Sequence, residues 1–196
     1  MSIKAVAFDV GGVIGDIQLR QLMLKLGKSF KKSYLSQTFT SLKNLFRKSL
    51  QGNADIENFL ENLTLSRSDW GDLIKANSGL ETQVLQHLGS DIEKFIISNM
   101  EELHWSICLE KIPIENYFQE NNCILSCRVG ALKPQEAMWQ KATEIIGRPP
   151  KEVLLIDNNP ANVKSFIAFG GNAVRYFCRL DSTEKLKNNL ISFGVI

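Results

Sequence analysis

Residues 5 to 16 read Ala-Val-Ala-Phe-Asp-Val-Gly-Gly-Val-Ile-Gly-Asp. An apolar run behind Ile3 ends in a single carboxylate, Asp9, and a glycine-rich turn follows at once. A run this short and this apolar is the pattern of a parallel strand buried on both faces. An apolar core has no use for an aspartate at its end. Asp9 is therefore expected at the carboxyl edge of a sheet, where open α/β folds bind their ligands.

Four further runs have the same character, at residues 95–97, 123–125, 153–156 and 173–177. Helical patterns lie between the later ones. One spans 135–146, with Met138, Ala142, Ile145 and Ile146 on one stripe, and stops at Gly147 before Pro149 and Pro150. A second spans 160–169, with Pro160 in its first turn, Val163, Phe166 and Ile167 facing inward, and Gly170-Gly171 as its stop. Strands alternating with helices predict an α/β fold, a parallel Rossmann-like sheet with helices on both faces.

The first crossover is too long for a simple connection, which needs about a dozen residues. From Asp16 to about Leu88 no strand pattern is evident, but helical stripes are: Leu19, Leu22, Met23 and Leu26; Leu42, Leu45, Phe46 and Leu50; Ile56, Phe59, Leu60 and Leu63. The expected organisation is a core domain of residues 1–15 and 89–196, with a helical cap domain of residues 16–88 inserted over the first strand's end. The cap's first part is basic, with Arg20, Lys25, Lys28, Lys31, Lys32, Lys43, Arg47 and Lys48 against Asp16 alone up to residue 50. That is either a solvated helix face or a surface that draws in anions.

At 196 residues, 44% hydrophobic and 22% charged, the chain has the makings of an ordinary globular domain. A net charge of +2 predicts no general attraction to nucleic acid. No apolar run approaches the roughly 18 residues of a membrane span, and the N-terminus enters a strand without a signal-peptide pattern. Cys108, Cys123, Cys127 and Cys178 are scattered and mostly strand-borne. They read as reduced thiols, in keeping with a cytoplasmic location. His87, inside an apolar stretch, reads as structural.

Four polar groups each follow a strand. They are Asp9, Ser98-Asn99, Lys133 ahead of Pro134, and Asp157 with Asn158 and Asn159. Taken singly each has a plain explanation, such as a helix cap, a turn or a surface lysine. Together, along one edge of one parallel sheet, they suit phosphoryl transfer. Asp9 can attack phosphorus and form an aspartyl phosphate. Ser98 can hydrogen-bond a phosphoryl oxygen, and Lys133 can neutralise charge. Asp157, Asp9 and a backbone carbonyl near Gly11 can hold magnesium.

These residues carry a resemblance to the haloacid dehalogenase-like (HAD) superfamily, in a sugar-phosphatase-like branch with a small helical cap. The stretch from Phe8 to Ile14 resembles the family's first motif, normally Asp-x-Asp. Ile97-Ser98-Asn99, with His104-Trp105 following, resembles the second, Gly130 to Pro134 the third, and Asp157 to Asn162 the fourth. Gly52 to Phe59 is similar to a stretch of such caps. The resemblance implies a magnesium-dependent phosphoric monoester hydrolase acting on a small phosphorylated metabolite. Asp9 and Lys133 would be catalytic, and Ser98, Asn99 and Lys133 would bind phosphate. Asp9, the Gly11 carbonyl and Asp157 would bind Mg2+.

Two departures bear on activity. Gly11 stands where the family carries its general acid, whose loss costs about 10²- to 10⁴-fold in rate. Asn158 stands where a second aspartate is common, which lowers the charge near a metal. A leaving group of low pKa needs less protonation, and Asp16 is a candidate substitute acid. Its plainer reading is a helix N-cap or hinge. His104 is a candidate substrate contact, or else packs beside Trp105. Two other activities follow as alternatives. One is a catalytically impaired relative that binds a phosphorylated ligand or a partner. The other is a 2-haloacid dehalogenase-type hydrolase, whose chemistry needs neither metal nor leaving-group acid.

Overall fold

A computed structural model of the chain describes residues 2–17, 48, 50 and 66–196. Five parallel strands form one sheet: β1 (Ala5–Phe8), β4 (Glu93–Ser98), β5 (Cys123–Leu125), β6 (Val153–Asp157) and β7 (Asn172–Arg175), in the order β5-β4-β1-β6-β7. Two shorter strands, β2 (Gly15–Ile17) and β3 (Ile74–Ala76), pair antiparallel in a separate ribbon. The longer helices are α1 (Glu102–Lys111), α2 (Glu136–Ile146), α3 (Pro160–Ala168) and α4 (Thr183–Ser192).

Strand β1 lies between β4 and β6 and is wholly buried. Its residues alternate between two cores, as the pleat requires. Ala5 and Ala7 face a cluster with Trp139 and Met138 of α2 and Phe166 of α3, while Val6 and Phe8 face one with Trp105 and Ile107 of α1 and Leu186 and Leu190 of α4. Both faces are covered, so the strands are continuous apolar runs, and that is why they are visible in the sequence. Helix α2 ends at Gly147 in the left-handed conformation, as its composition predicts.

The inward stripes need correction at two positions. Ile145 is 48% exposed and Ile167 is 52% exposed. In α3 the buried residues are Asn162 and Phe166, because a helix with one narrow contact to the sheet buries one row of side chains. His87 is exposed, in a short turn after Leu85. The four cysteines are free thiols; Cys108 and Cys123 are buried, and Cys127 and Cys178 are half-buried.

The ribbon corrects the expectation of no strand between Asp16 and Leu88. Three-residue strands are too short to show a period of two. Gly15 pairs with Ala76, Asp16 with Lys75 and Ile17 with Ile74, so the chain leaves the core and returns to it side by side. Asn77 ties this stem down. Its backbone N–H donates to the Ile14 carbonyl (2.9 Å), and its side chain donates to the Val13 carbonyl (2.9 Å) and the Tyr176 hydroxyl (3.0 Å). Asp16 is thus a strand residue and not a helix cap. The expected cap helices up to residue 63 lie outside the described residues, as do the basic residues apart from Lys48, which is exposed. No helix among the described residues is long and apolar enough to cross a membrane.

Phe166 packs its ring 5.1 Å from that of Trp139, whose indole N–H donates to the Ser165 hydroxyl (3.1 Å). Phe166→Ala is expected to lower stability by about 3–5 kcal/mol, the usual cost of emptying such a site. Urea unfolding at neutral pH measures it, and a loss below about 1 kcal/mol would show that α3 is not held by this side chain.

Candidate active site

The carboxyl edge of the sheet gathers the expected groups. Asp9 follows β1 directly and its N–H donates to the Ile156 carbonyl (2.9 Å), which fixes its backbone against β6. Ser98 and Asp157 are the last residues of β4 and β6. Lys133 arrives from the loop that follows β5 and the short helix Ser126–Val129. Asp9, Ser98, Lys133 and Asp157 are all buried.

Asp9 is held asymmetrically. Its Oδ1 accepts from the Val10 N–H (2.8 Å) and the Ser98 hydroxyl (2.7 Å), and lies 3.0 Å from Lys133 Nζ. Its Oδ2 accepts no hydrogen bond from the described residues, and Asp9 lines a cavity of about 280 Å³. Burial raises the Asp9 pKa above the ordinary carboxylate value, against the pull of the Lys133 charge.

Lys133 also reaches Asp157 Oδ2 (2.7 Å) and the Ile97 carbonyl (2.8 Å). Three acceptors match the three protons of an ammonium group. Burial works against its charge, but the two carboxylates outweigh burial and raise the pKa, so Lys133 is a fixed cation. Asn99, expected on the phosphate, lines the cavity and is clamped to the Lys133 backbone. Its Oδ1 accepts from the Lys133 N–H (2.8 Å) and its Nδ2 donates to the Lys133 carbonyl (3.0 Å).

Asp157 differs from its expected place. It is fully buried behind Lys133 and does not line the cavity. Its oxygens accept from Lys133, from the Asn159 N–H (2.8 Å), and from Asn162 Nδ2 (3.1 and 3.0 Å). Asn158, Asn159 and Asn162 line the cavity in its stead. The sequence reading gave Asn162 no role. An asparagine in the first turn of α3, five residues after Asp157, is the signal that could have found it.

The residues present fit a magnesium ion with a thin donor set. Asp9, Gly11 and Asn158 line the cavity and carry hard oxygen donors, a carboxylate, a backbone carbonyl and an amide. Asn162 Oδ1 is buried and lacks a donor among the described residues, its Nδ2 being turned to Asp157. A water held by a cation would satisfy it. Among the described residues no group of three or more His, Cys, Asp or Glu could hold a metal. A magnesium ion there would depend on neutral oxygens where a carboxylate is common, which suits an ion that keeps several of its waters.

Gly11 and Gly12 behave differently. Gly12 has a φ of +81°, and a Cβ there would sit 2.2 Å from Asn158 Nδ2. A Cβ on Gly11 would meet nothing within 4 Å, so the missing acid is not excluded by space. Asp16 and His104 both line the cavity. Asp16 is ion-paired on both oxygens by Arg179, and His104 is buried in α1. The helix start behind Ser98 is capped by Glu101, whose carboxylate accepts from the Leu103 and His104 N–H groups.

A family profile for haloacid dehalogenase-like hydrolases matches residues 3–170. The chain belongs to this family. No curated protein matches it in sequence. Among solved structures it is similar to a HAD family enzyme from Bacteroides thetaiotaomicron, in complex with magnesium and inorganic phosphate, at 20% identity and a TM-score of 0.77, covering 94% of this chain and 99% of that one. A predicted HAD-like family hydrolase from Porphyromonas gingivalis aligns at 20% identity and a TM-score of 0.76, covering 97% and 98%. The L-2-haloacid dehalogenase of Xanthobacter autotrophicus, with chloropropionic acid covalently bound, aligns at 20% identity and a TM-score of 0.62, covering 99% and 84%. At these identities the likeness is one of fold. The chain is therefore a HAD-like hydrolase by family, with the fold of these enzymes.

Burial alone lowers the His104 pKa to about 4. In the unfolded chain an imidazole titrates near ~6.5. Its neutral form therefore contributes stability above the unfolded value, and that contribution is lost as pH falls toward the folded one. Between pH 7 and pH 4.5 the loss from this group is about 2 kcal/mol. His104→Gln is expected to show a correspondingly smaller drop across that range than wild type. Urea unfolding of both proteins at the two pH values measures it, and equal drops would refute it.

Proposed function

We propose that the protein is a magnesium-assisted phosphatase of small phosphorylated compounds, with Asp9 as nucleophile. The observation that carries this reading is the division of labour within Asp9. Oδ1 is fixed by Val10, Ser98 and Lys133, while Oδ2 has no partner among the described residues and Asp9 lines the cavity.

Asp9 Oδ2 attacks phosphorus, the bond from phosphorus to the leaving oxygen breaks, and an aspartyl phosphate forms. Water then cleaves that intermediate and returns the carboxylate. Lys133 holds charge opposite Asp9 throughout, and the raised Asp9 pKa makes the carboxylate a stronger nucleophile once ionised. Magnesium, held by Asp9, the Gly11 carbonyl and Asn158, would offset phosphoryl charge when bound. The Bacteroides enzyme's complex with magnesium and phosphate supports this reading by likeness of fold. The dehalogenase neighbour makes carbon–halogen hydrolysis the competing reaction.

Gly11 supplies no proton to the leaving group. Substrates whose leaving group departs readily as an anion, such as acyl phosphates and sugar 1-phosphates, are expected to react fastest. Purified protein with magnesium is expected to release phosphate from acetyl phosphate or p-nitrophenyl phosphate, and Asp9→Asn to abolish it. No turnover of any phosphate ester or acyl phosphate would overturn the proposal, as would chloride release from 2-chloropropionate without magnesium. The room at Gly11 allows a further test. Gly11→Asp is expected to raise kcat on alkyl phosphates, by up to about 10²–10⁴-fold, and to raise it far less on aryl phosphates. Equal effects on both classes would show that proton supply is not what position 11 controls.

A further inference from the structure

We propose that Asp16 recognises the leaving group by accepting hydrogen bonds from its hydroxyls, and that Arg179 is the residue that positions Asp16. This rests on the phosphatase reading above and adds a specificity residue to it.

Asp16 lines the same cavity as Asp9, and its side chain is 15% exposed. Gly11 and Gly15, which lie between them in the sequence, also line the cavity and bridge each other, so no side chain rises from either. Much of the remaining lining is apolar, with Ile74, Met100, Cys108 and Ile112. A pocket of this make-up orients its ligand by a few fixed polar groups. Among the described residues that line the cavity, Asp16 is the carboxylate other than Asp9.

Asp16 is fixed in place. Arg179 Nη2 donates to its Oδ1 (2.9 Å) and Nε to its Oδ2, a two-pronged contact. The guanidinium lies 5.8 Å from the centre of the Phe177 ring, which limits its own freedom. Each carboxylate oxygen has a second lone pair after Arg179 has taken one. A carboxylate whose two oxygens both bind a guanidinium is an acceptor and not a proton donor, which separates this role from that of a substitute acid. It attracts hydroxyl groups and repels a second anionic group on the ligand.

The test uses the full chain with magnesium and two probes of different leaving group, a hexose 1-phosphate and p-nitrophenyl phosphate. Asp16→Asn is expected to lower the ratio of kcat/KM for the hexose phosphate over that for p-nitrophenyl phosphate by about 10- to 100-fold, the range of a hydrogen bond to a charged group. The loss is expected in KM. Arg179→Met is expected to lower the ratio less, and Arg179→Lys to recover part of it. A ratio changed less than twofold overturns the proposal. So does a loss confined to kcat that grows with leaving-group pKa, since that is the mark of an acid. A second measurement needs no turnover. The hexose phosphate is expected to raise Tm more than inorganic phosphate at equal concentration in wild type, and by the same amount as inorganic phosphate in Asp16→Asn. If neither probe is turned over, the phosphatase reading fails and this thermal arm alone decides Asp16. An equal excess shift in wild type and variant overturns the role.

Discussion

One buried ammonium group organises the site. Lys133 Nζ lies between Asp9 and Asp157, with its third proton on the Ile97 carbonyl. Burial and the neighbouring Asp157 both push the Asp9 pKa up, and the Lys133 charge opposes them. Removing one member of such a set leaves a buried charge without a partner, which is far costlier than the set is stabilising. The loop carrying Lys133 must therefore be placed accurately, and Asn99 does this by bonding both polar groups of the Lys133 backbone. Asp9 directly follows β1, Asp157 ends β6 and Lys133 lies in the loop beyond β5, so the sheet has to form before the charges balance.

The arrangement explains why Asp157 and Asn158 have separate duties. Asp157 is a structural counter-charge, saturated by Lys133 and Asn162. Asn158 meets the cavity. In the proposed reaction the chemistry depends on one carboxylate, Asp9, backed by neutral amides. A site so composed would put less negative charge opposite an incoming phosphate, and would also hold a divalent cation less strongly.

Much of this was legible in the sequence, for a physical reason. Strands buried on both faces are uninterrupted apolar runs, and a polar residue at the end of each marks the edge where ligands bind. Asp9, Ser98, Lys133 and Asp157 were found that way. What was hidden depended on pairing between distant segments. Nothing near Asp16 announces Arg179, and nothing near Val13 announces that Asn77 will reach both it and Tyr176. The β2–β3 ribbon was missed because its strands are three residues long, and Ile145 and Ile167 were placed inward because periodicity gives a stripe without its width. Asn99 and Asp157 were identified as site residues, but their partners could only come from the folded geometry.

The closeness of Gly12 to Asn158 has a consequence for how the chain can vary. The Asn158 amide fills the volume that any side chain at position 12 would need. Two loops from opposite halves of the sequence therefore share one small space. Neither can change alone: a side chain at 12 would have to adopt the left-handed backbone and turn the Asn158 amide aside, and with it change what the cavity offers a cation.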